Sequence, residues 1–217
     1  MAQTDAVTNW RLTDHGPNVA LQHCNQYALA VRAQARRVQN PDHPGERIPD
    51  IYLLVGALHH VLRAAEMAKK TIASPLAKAA IQRAIGVFLS QVVVKPASDR
   101  AAALVLARDV LEHFDEYMCG IGRRQGYTAK RNPDVNKEGL AQNYRIDFEP
   151  PANRPQLRVG PVRPAEPLVI MDLVTTAPGA AHQLVAALRT ALVQGQLDNT
   201  GHKHTDPSGG LNALASP

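Results

Sequence analysis

The chain is expected to be mainly α: an antiparallel four-helix bundle followed by a small C-terminal α+β appendage. Three observations carry this expectation. The composition is 45% hydrophobic but only 4% aromatic, and its abundance of alanine, leucine and valine favours closely packed helices over a β-sandwich. From residue 17 to about 119 the apolar positions recur every three or four residues, the period of one helix face. Beyond residue 143 the pattern shifts to short β-prone runs separated by prolines. At 217 residues the chain can bury one good core, or one core with a small addition.

The elements follow in order. After a flexible lead (1–16), Pro17 stands near a first helical turn, and Val19, Cys24, Tyr27, Ala28 and Val31 keep helical spacing. The segment from Asn40 to Asp50 carries three prolines and a glycine and reads as a loop. A second helix is apolar at Leu54, Ala57, Leu58, Val61, Leu62 and Ala65. Ser74 and Pro75 form an N-cap and first-turn pair opening a third helix, which Lys95-Pro96 stops. Ser98 or Asp99 can cap the fourth helix, which runs to about Cys119 before Gly120 and Gly122.

Four such helices joined by short loops, spanning 17–125, read as the bundle. A polar linker (126–143) leads to "YRIDFEP", "QLRVGPV" and "LVIMDLV", a short antiparallel β-meander. "PGAAHQLVAALRTALVQG" then reads as one amphipathic helix covering the strands, which bounds the appendage at 144–196. The remainder, 197–217, has the composition of a disordered tail.

Several function classes are disfavoured at once. Cys24 and Cys119 have neither CxxC nor Cys/His finger spacing, so no zinc module or disulfide framework is indicated, and no cofactor is expected. There is no P-loop and no GxSxG nucleophile elbow. The first sixteen residues lack the apolar stretch of a signal peptide, and the longest apolar run, Ala101 to Ala107, is too short to span a bilayer. A cytoplasmic protein without a membrane partner is therefore expected. The net charge of +5 and pI near 9.4 permit an anionic partner such as RNA without demanding one.

The densest set of titratable side chains lies in the fourth helix: Arg108, Asp109, Glu112, His113, Asp115 and Glu116. Leu104, Ala107, Leu111, Phe114 and Met118 form its apolar stripe, and the charges fall beside and opposite it. Local pairs, Arg108 with Glu112 and Asp109 with His113, account for much of the pattern as a solvated face. Arg108 and His113 are about 140° apart around the helix. Two copies of this helix meeting across a twofold axis would bring one arginine and one histidine from each subunit into a shared cleft. Histidine titrates near neutrality and can move a proton at a ribose 2′-hydroxyl. Arginine can fork onto a phosphate whose negative charge grows in the transition state.

"RDVLEH" (Arg108 to His113) resembles the Arg-x4–6-His motif of the HEPN ribonuclease domains, helical bundles found in prokaryotic toxins and defence proteins. Asp109 occupies the polar position that follows the arginine in that family. The resemblance covers residues 17 to 125 and implies a metal-independent endoribonuclease whose site forms between the subunits of a homodimer. It makes His113 the proton-transfer residue, Arg108 the phosphate clamp and Asp109 the orienting group, with an antitoxin or other protein as a possible further partner. Arg123, Arg124, Tyr127 and Lys130, directly after the charged helix, are candidates for tracking single-stranded RNA.

Two alternatives stand beside this expectation. His59, His60 and Glu66 on the second helix could contribute to a metal centre in a bundle, although Glu-x-x-His pairs are missing, and His202 to His204 could pick up metal nonspecifically. The chain could also be a helical-bundle module that binds or dimerises without chemistry.

Overall fold

The computed structural model describes residues 12–39, 47–95, 99–113, 116, 145–149, 156–160 and 169–201. Five helices and four short strands fill these segments. In chain order they are α1 (Leu12–Gln39), α2 (Arg47–Thr71), α3 (Pro75–Val92), β1 (Val93–Lys95), α4 (Arg100–Glu112), β2 (Arg145–Glu149), β3 (Gln156–Gly160), β4 (Val169–Asp172) and α5 (Ala177–Gly201). The protein is mainly helical with one small antiparallel sheet.

The caps are local chemistry. The Ser74 hydroxyl accepts the Ala77 N–H at 3.3 Å with Pro75 just inside α3, and the Asp99 carboxylate accepts the Ala102 N–H at 2.8 Å to open α4. Each satisfies a backbone donor that the first helical turn leaves without an intrahelical partner. Asp172 accepts from Thr175 and Thr176 in the turn before α5. Pro17 lies inside α1, which begins five residues earlier than the expected start. Proline's fixed φ suits a helix, and its missing N–H costs one bond near the N-terminal end. α2 starts at Arg47, so the end of the expected Asn40–Asp50 loop is already helical, and Pro49 falls in a first turn that tolerates it.

α1 and α2 form an antiparallel pair. Gly16 lies against Thr71, Cys24 Sγ donates to the Val61 carbonyl at 3.8 Å, and Arg37 bridges Asp50 at 3.0 Å. Asp50 is buried, so the Arg37 pair neutralises a charge that burial would otherwise penalise. α5 packs chiefly on α3 and α1, and α4 chiefly on α2. Gly195 of α5 approaches Ile72 and Ala77 closely, while Gln91 meets Gln183 at the other end, so α3 and α5 are also antiparallel.

Two findings differ from the sequence-based expectation. First, the last helix is packed among α1 and α3 instead of merely covering the strands, because Ala177, Ala181, Leu184, Leu188, Ala191 and Gly195 make a long buried stripe of small and branched residues. It continues to Gly201, past the expected boundary at 196–197; residues 202–217 lie outside those described. Second, the sheet has four strands in the order β1-β4-β3-β2. β2, β3 and β4 make the expected meander, and β1 joins its edge by pairing with β4. Val93, Met171 and Leu157 stand opposite one another across three strands, all fully buried in the same core as the helices. The strands are thus sewn to the end of α3. The Thr176 hydroxyl reinforces this junction by donating to the Gln91 carbonyl at 2.9 Å.

Candidate functional site around alpha4

α4 is shorter than its apolar pattern suggests. Its described run ends at Glu112, and His113 is the C-cap, with φ −118° and ψ 38°. The His113 N–H still closes onto the Asp109 carbonyl at 3.0 Å. Ala103, Leu104, Leu106, Ala107, Val110 and Leu111 are buried, a broader face than the single stripe foreseen. Phe114, Met118 and Cys119 lie outside the described residues, as do Arg123, Arg124, Tyr127 and Lys130.

The Arg108 guanidinium donates to Glu112 at 2.7 Å, the i,i+4 pair that helical geometry favours. Both side chains are about one-third exposed (34% and 33%), so the pair is reachable from solvent. The His113 ring is half exposed, and its Nδ1 lies 3.3 Å from a Glu116 carboxylate oxygen. The carboxylate on this histidine is therefore Glu116, three residues C-terminal, a partner the sequence displayed but to which no role was given. Asp109 is half-buried on the same helix end.

A second group faces α4 from α2. His59 is nine-tenths buried, and its Nδ1 is inaccessible and without a hydrogen-bond partner. An unpaired buried nitrogen of this kind costs about 1–3 kcal/mol relative to a satisfied one. Burial pushes the His59 pKa down from 6.5 to about 4, with Arg108, His60 and Arg63 adding positive charge nearby and Glu112 opposing them. The ring is neutral at physiological pH. Arg108 and Glu112 of α4 and Arg63 of α2 thus lie within electrostatic range of one buried imidazole. His60, the next residue, turns outward, and its ring stacks on Tyr27 of α1 at 4.5 Å. The helical repeat puts Val55, His59 and Leu62 on one side of α2, a signal visible in the sequence once α4 is known to pack there.

Compared with models of protein families, with curated proteins and with solved structures, the chain matches none. The site must be judged on its own chemistry. Among the described residues no group of three or more histidines, cysteines or carboxylates is placed to hold a metal ion. The His59, His60 and Glu66 alternative therefore finds no complete ligand set there. Cys24 is a buried thiol pushed up to about 12 by desolvation, which removes it as a nucleophile at neutral pH. Among the described residues no helix is long and apolar enough to cross a membrane. What remains is a polar seam along α2 and the C-terminal end of α4, with one arginine and one histidine accessible on the same short helix.

Proposed function

We propose that the chain is a HEPN-like, metal-independent endoribonuclease acting as a cytoplasmic homodimer on RNA, with a role in a toxin–antitoxin or defence system. The architecture that goes with this reading is a four-helix bundle of α1, α2, α3 and α5, with α4 laid against α2. The observation that carries it is the placement of Arg108 and His113 at one helix end, with the His113 ring held by a carboxylate. With Nδ1 engaged by Glu116, Nε2 is the ring nitrogen turned to substrate, and as a base it takes the proton from a ribose 2′-hydroxyl. Arg108 forks onto the scissile phosphate and stabilises its growing charge. Asp109 is the orienting group of the site, and Arg123, Arg124, Tyr127 and Lys130 hold the RNA strand.

The test is cleavage of single-stranded RNA in chelator-containing buffer. Arg108→Ala and His113→Ala are each expected to lower the rate on the order of 10²-fold or more, with circular dichroism and oligomeric state unchanged. Cleavage that survives both substitutions, or that requires divalent metal, refutes the mechanism.

One observation favours a second reading, a binding or dimerisation module without chemistry. Both side chains are already engaged inside the subunit, Arg108 by Glu112 and His113 by Glu116, as on an ordinary solvated helix face. A chain that dimerises but leaves every RNA intact supports that reading.

A further inference from the structure

The charges of this protein are unevenly divided among its helices. Residues 17–39 of α1, 75–92 of α3 and 177–195 of α5 contain six lysines and arginines and no aspartate or glutamate. With 19 acidic residues in 217, an even spread places about five carboxylates in stretches of this combined length. Asp14 and Asp198 sit only in the first turn of α1 and the last turn of α5. The carboxylates stand instead on α2, with Asp50 and Glu66, and at α4, with Asp99, Asp109 and Glu112. Because α5 packs on both α1 and α3, the outward sides of these three helices make one layer. On α1, Asn18, Gln22, Asn25, Leu29, Arg32 and Arg36 are all exposed and recur every three or four residues, so they form one ridge. On α5, His182, Ala186, Arg189 and Val193 do the same, and α3 adds exposed Lys78 and Arg83. Arg37 is held by Asp50. Among the described residues Arg32, Arg36, Lys78, Arg83 and Arg189 pair with no carboxylate. Mixed signs would keep such a surface soluble without the mutual repulsion of like charges, so the segregation calls for a partner.

We infer that the α1–α5–α3 face binds double-helical RNA through its phosphates. A polyanion is the partner that a field of one sign attracts. The exposed hydrophobics of these helices are Leu29, Leu76, Val87 and Val193, with no tyrosine, phenylalanine or tryptophan among them. Each lies within about one turn of Arg32, Lys78, Arg83 or Arg189. A single strand is held by aromatic stacking platforms and a membrane by a continuous apolar face, and neither is offered here. A double helix asks for cations over a broad front. Three helices side by side provide one about 20 Å wide at the usual spacing of packed helices. Arg32 and Arg36, about 6 Å apart along α1, can take neighbouring phosphates. The amides of Asn18, Gln22 and Asn25 both donate and accept, which suits the 2′-hydroxyls lining the shallow groove of RNA. Duplex binding here stands whether or not Arg108 and His113 cut RNA, because α4 packs chiefly on α2 and offers a different surface.

The experiment is the affinity of the full chain for a blunt RNA duplex of about 20 base pairs, read by fluorescence anisotropy over a series of salt concentrations. The logarithm of the association constant is expected to fall against the logarithm of salt with a slope of roughly −4, as the unpaired cations neutralise phosphates. Arg32→Gln with Arg36→Gln should weaken binding on the order of tenfold and flatten the slope by about 2. Arg32→Lys with Arg36→Lys keeps the charge and should stay within about threefold of the natural chain. Arg63→Gln with Lys70→Gln removes the same charge from α2 and should change affinity less than about twofold. All these side chains are exposed, so circular dichroism should be the same throughout. Equal losses in the α1 and α2 variants reduce the effect to net charge and overturn the assignment of this face. Duplex affinity that is absent or insensitive to salt also overturns it, as does equally tight binding of the single strand or of duplex DNA. A chain that binds only vesicles of anionic lipid overturns it in favour of a membrane surface.

Discussion

Replacing His59 by leucine tests the electrostatics of the α2–α4 seam directly. In the folded protein the ring takes up its proton only near pH 4, whereas in the unfolded chain it does so near 6.5. Between those values the unfolded state binds more protons, so stability falls as the pH is lowered through this window and is fully retained above it. A separation of this size corresponds to at most about 3 kcal/mol, and relaxation of the seam should reduce it to about 2 kcal/mol. The assay is urea unfolding at pH 7 and pH 4.5 for the natural chain and for His59→Leu. The natural chain should lose about 2 kcal/mol more than the variant on acidification. At pH 7 the variant should be equally stable or more so, because leucine removes the unpaired Nδ1 at similar volume. Parallel losses in the two proteins would refute the burial argument, since shared carboxylates would then account for the whole acid response.

Four further outcomes follow from the packing and the caps. Gly195→Ala puts a Cβ within 2.9 Å of Ile72 Cδ1 and 3.4 Å of Ala77 Cβ; it should cost about 1–3 kcal/mol in thermal or urea unfolding. Gly56→Ala, in the middle of α2 with nothing within 4 Å of the added carbon, should instead stabilise by about 0.5–1 kcal/mol. Cys24 should react with a thiol reagent at neutral pH only after denaturation, because burial holds its pKa at about 12; rapid labelling of the folded Asp- and Arg-paired hairpin would contradict that. Asp99→Ala should destabilise by about 1 kcal/mol through loss of the α4 cap, measured against Asp99→Asn as the conservative control.

Local chemistry was legible where the chain states it locally. Ser74 with Pro75, Asp99 before an apolar run, and the Arg108–Glu112 spacing each depend on residues a turn apart, and the structure has all three. The three-strand meander was legible for the same reason, since turns and β-prone runs alternate in order. What escaped depends on distant partners. "VVVK" after α3 read as the tail of a helix, and only pairing with β4 makes it a strand. The last helix carried an amphipathic pattern but no address, so its place against α1 and α3 could not be read. At the site, His59 was visible only as a possible contributor to a metal centre, because α4 had to be packed on α2 before the charges of Arg108 and Glu112 came within range of it. His113 has Glu116 within one turn, yet charges crowd that stretch and spacing alone does not choose among them.

Because α5 supplies one wall of the core near the C-terminal end, the order of synthesis differs from the order of need. As α1 to α4 emerge from a ribosome, the faces of α1 and α3 that α5 will cover are oily and bare, and β1 has no neighbour to bond. The hairpin of α1 and α2 can close early, since its contacts are near in sequence. The rest waits until residue 195 is free, when the Gln91–Thr176 junction and the Gly195 notch close together. A chain cut short before α5 is therefore expected to expose those faces rather than form a smaller working protein.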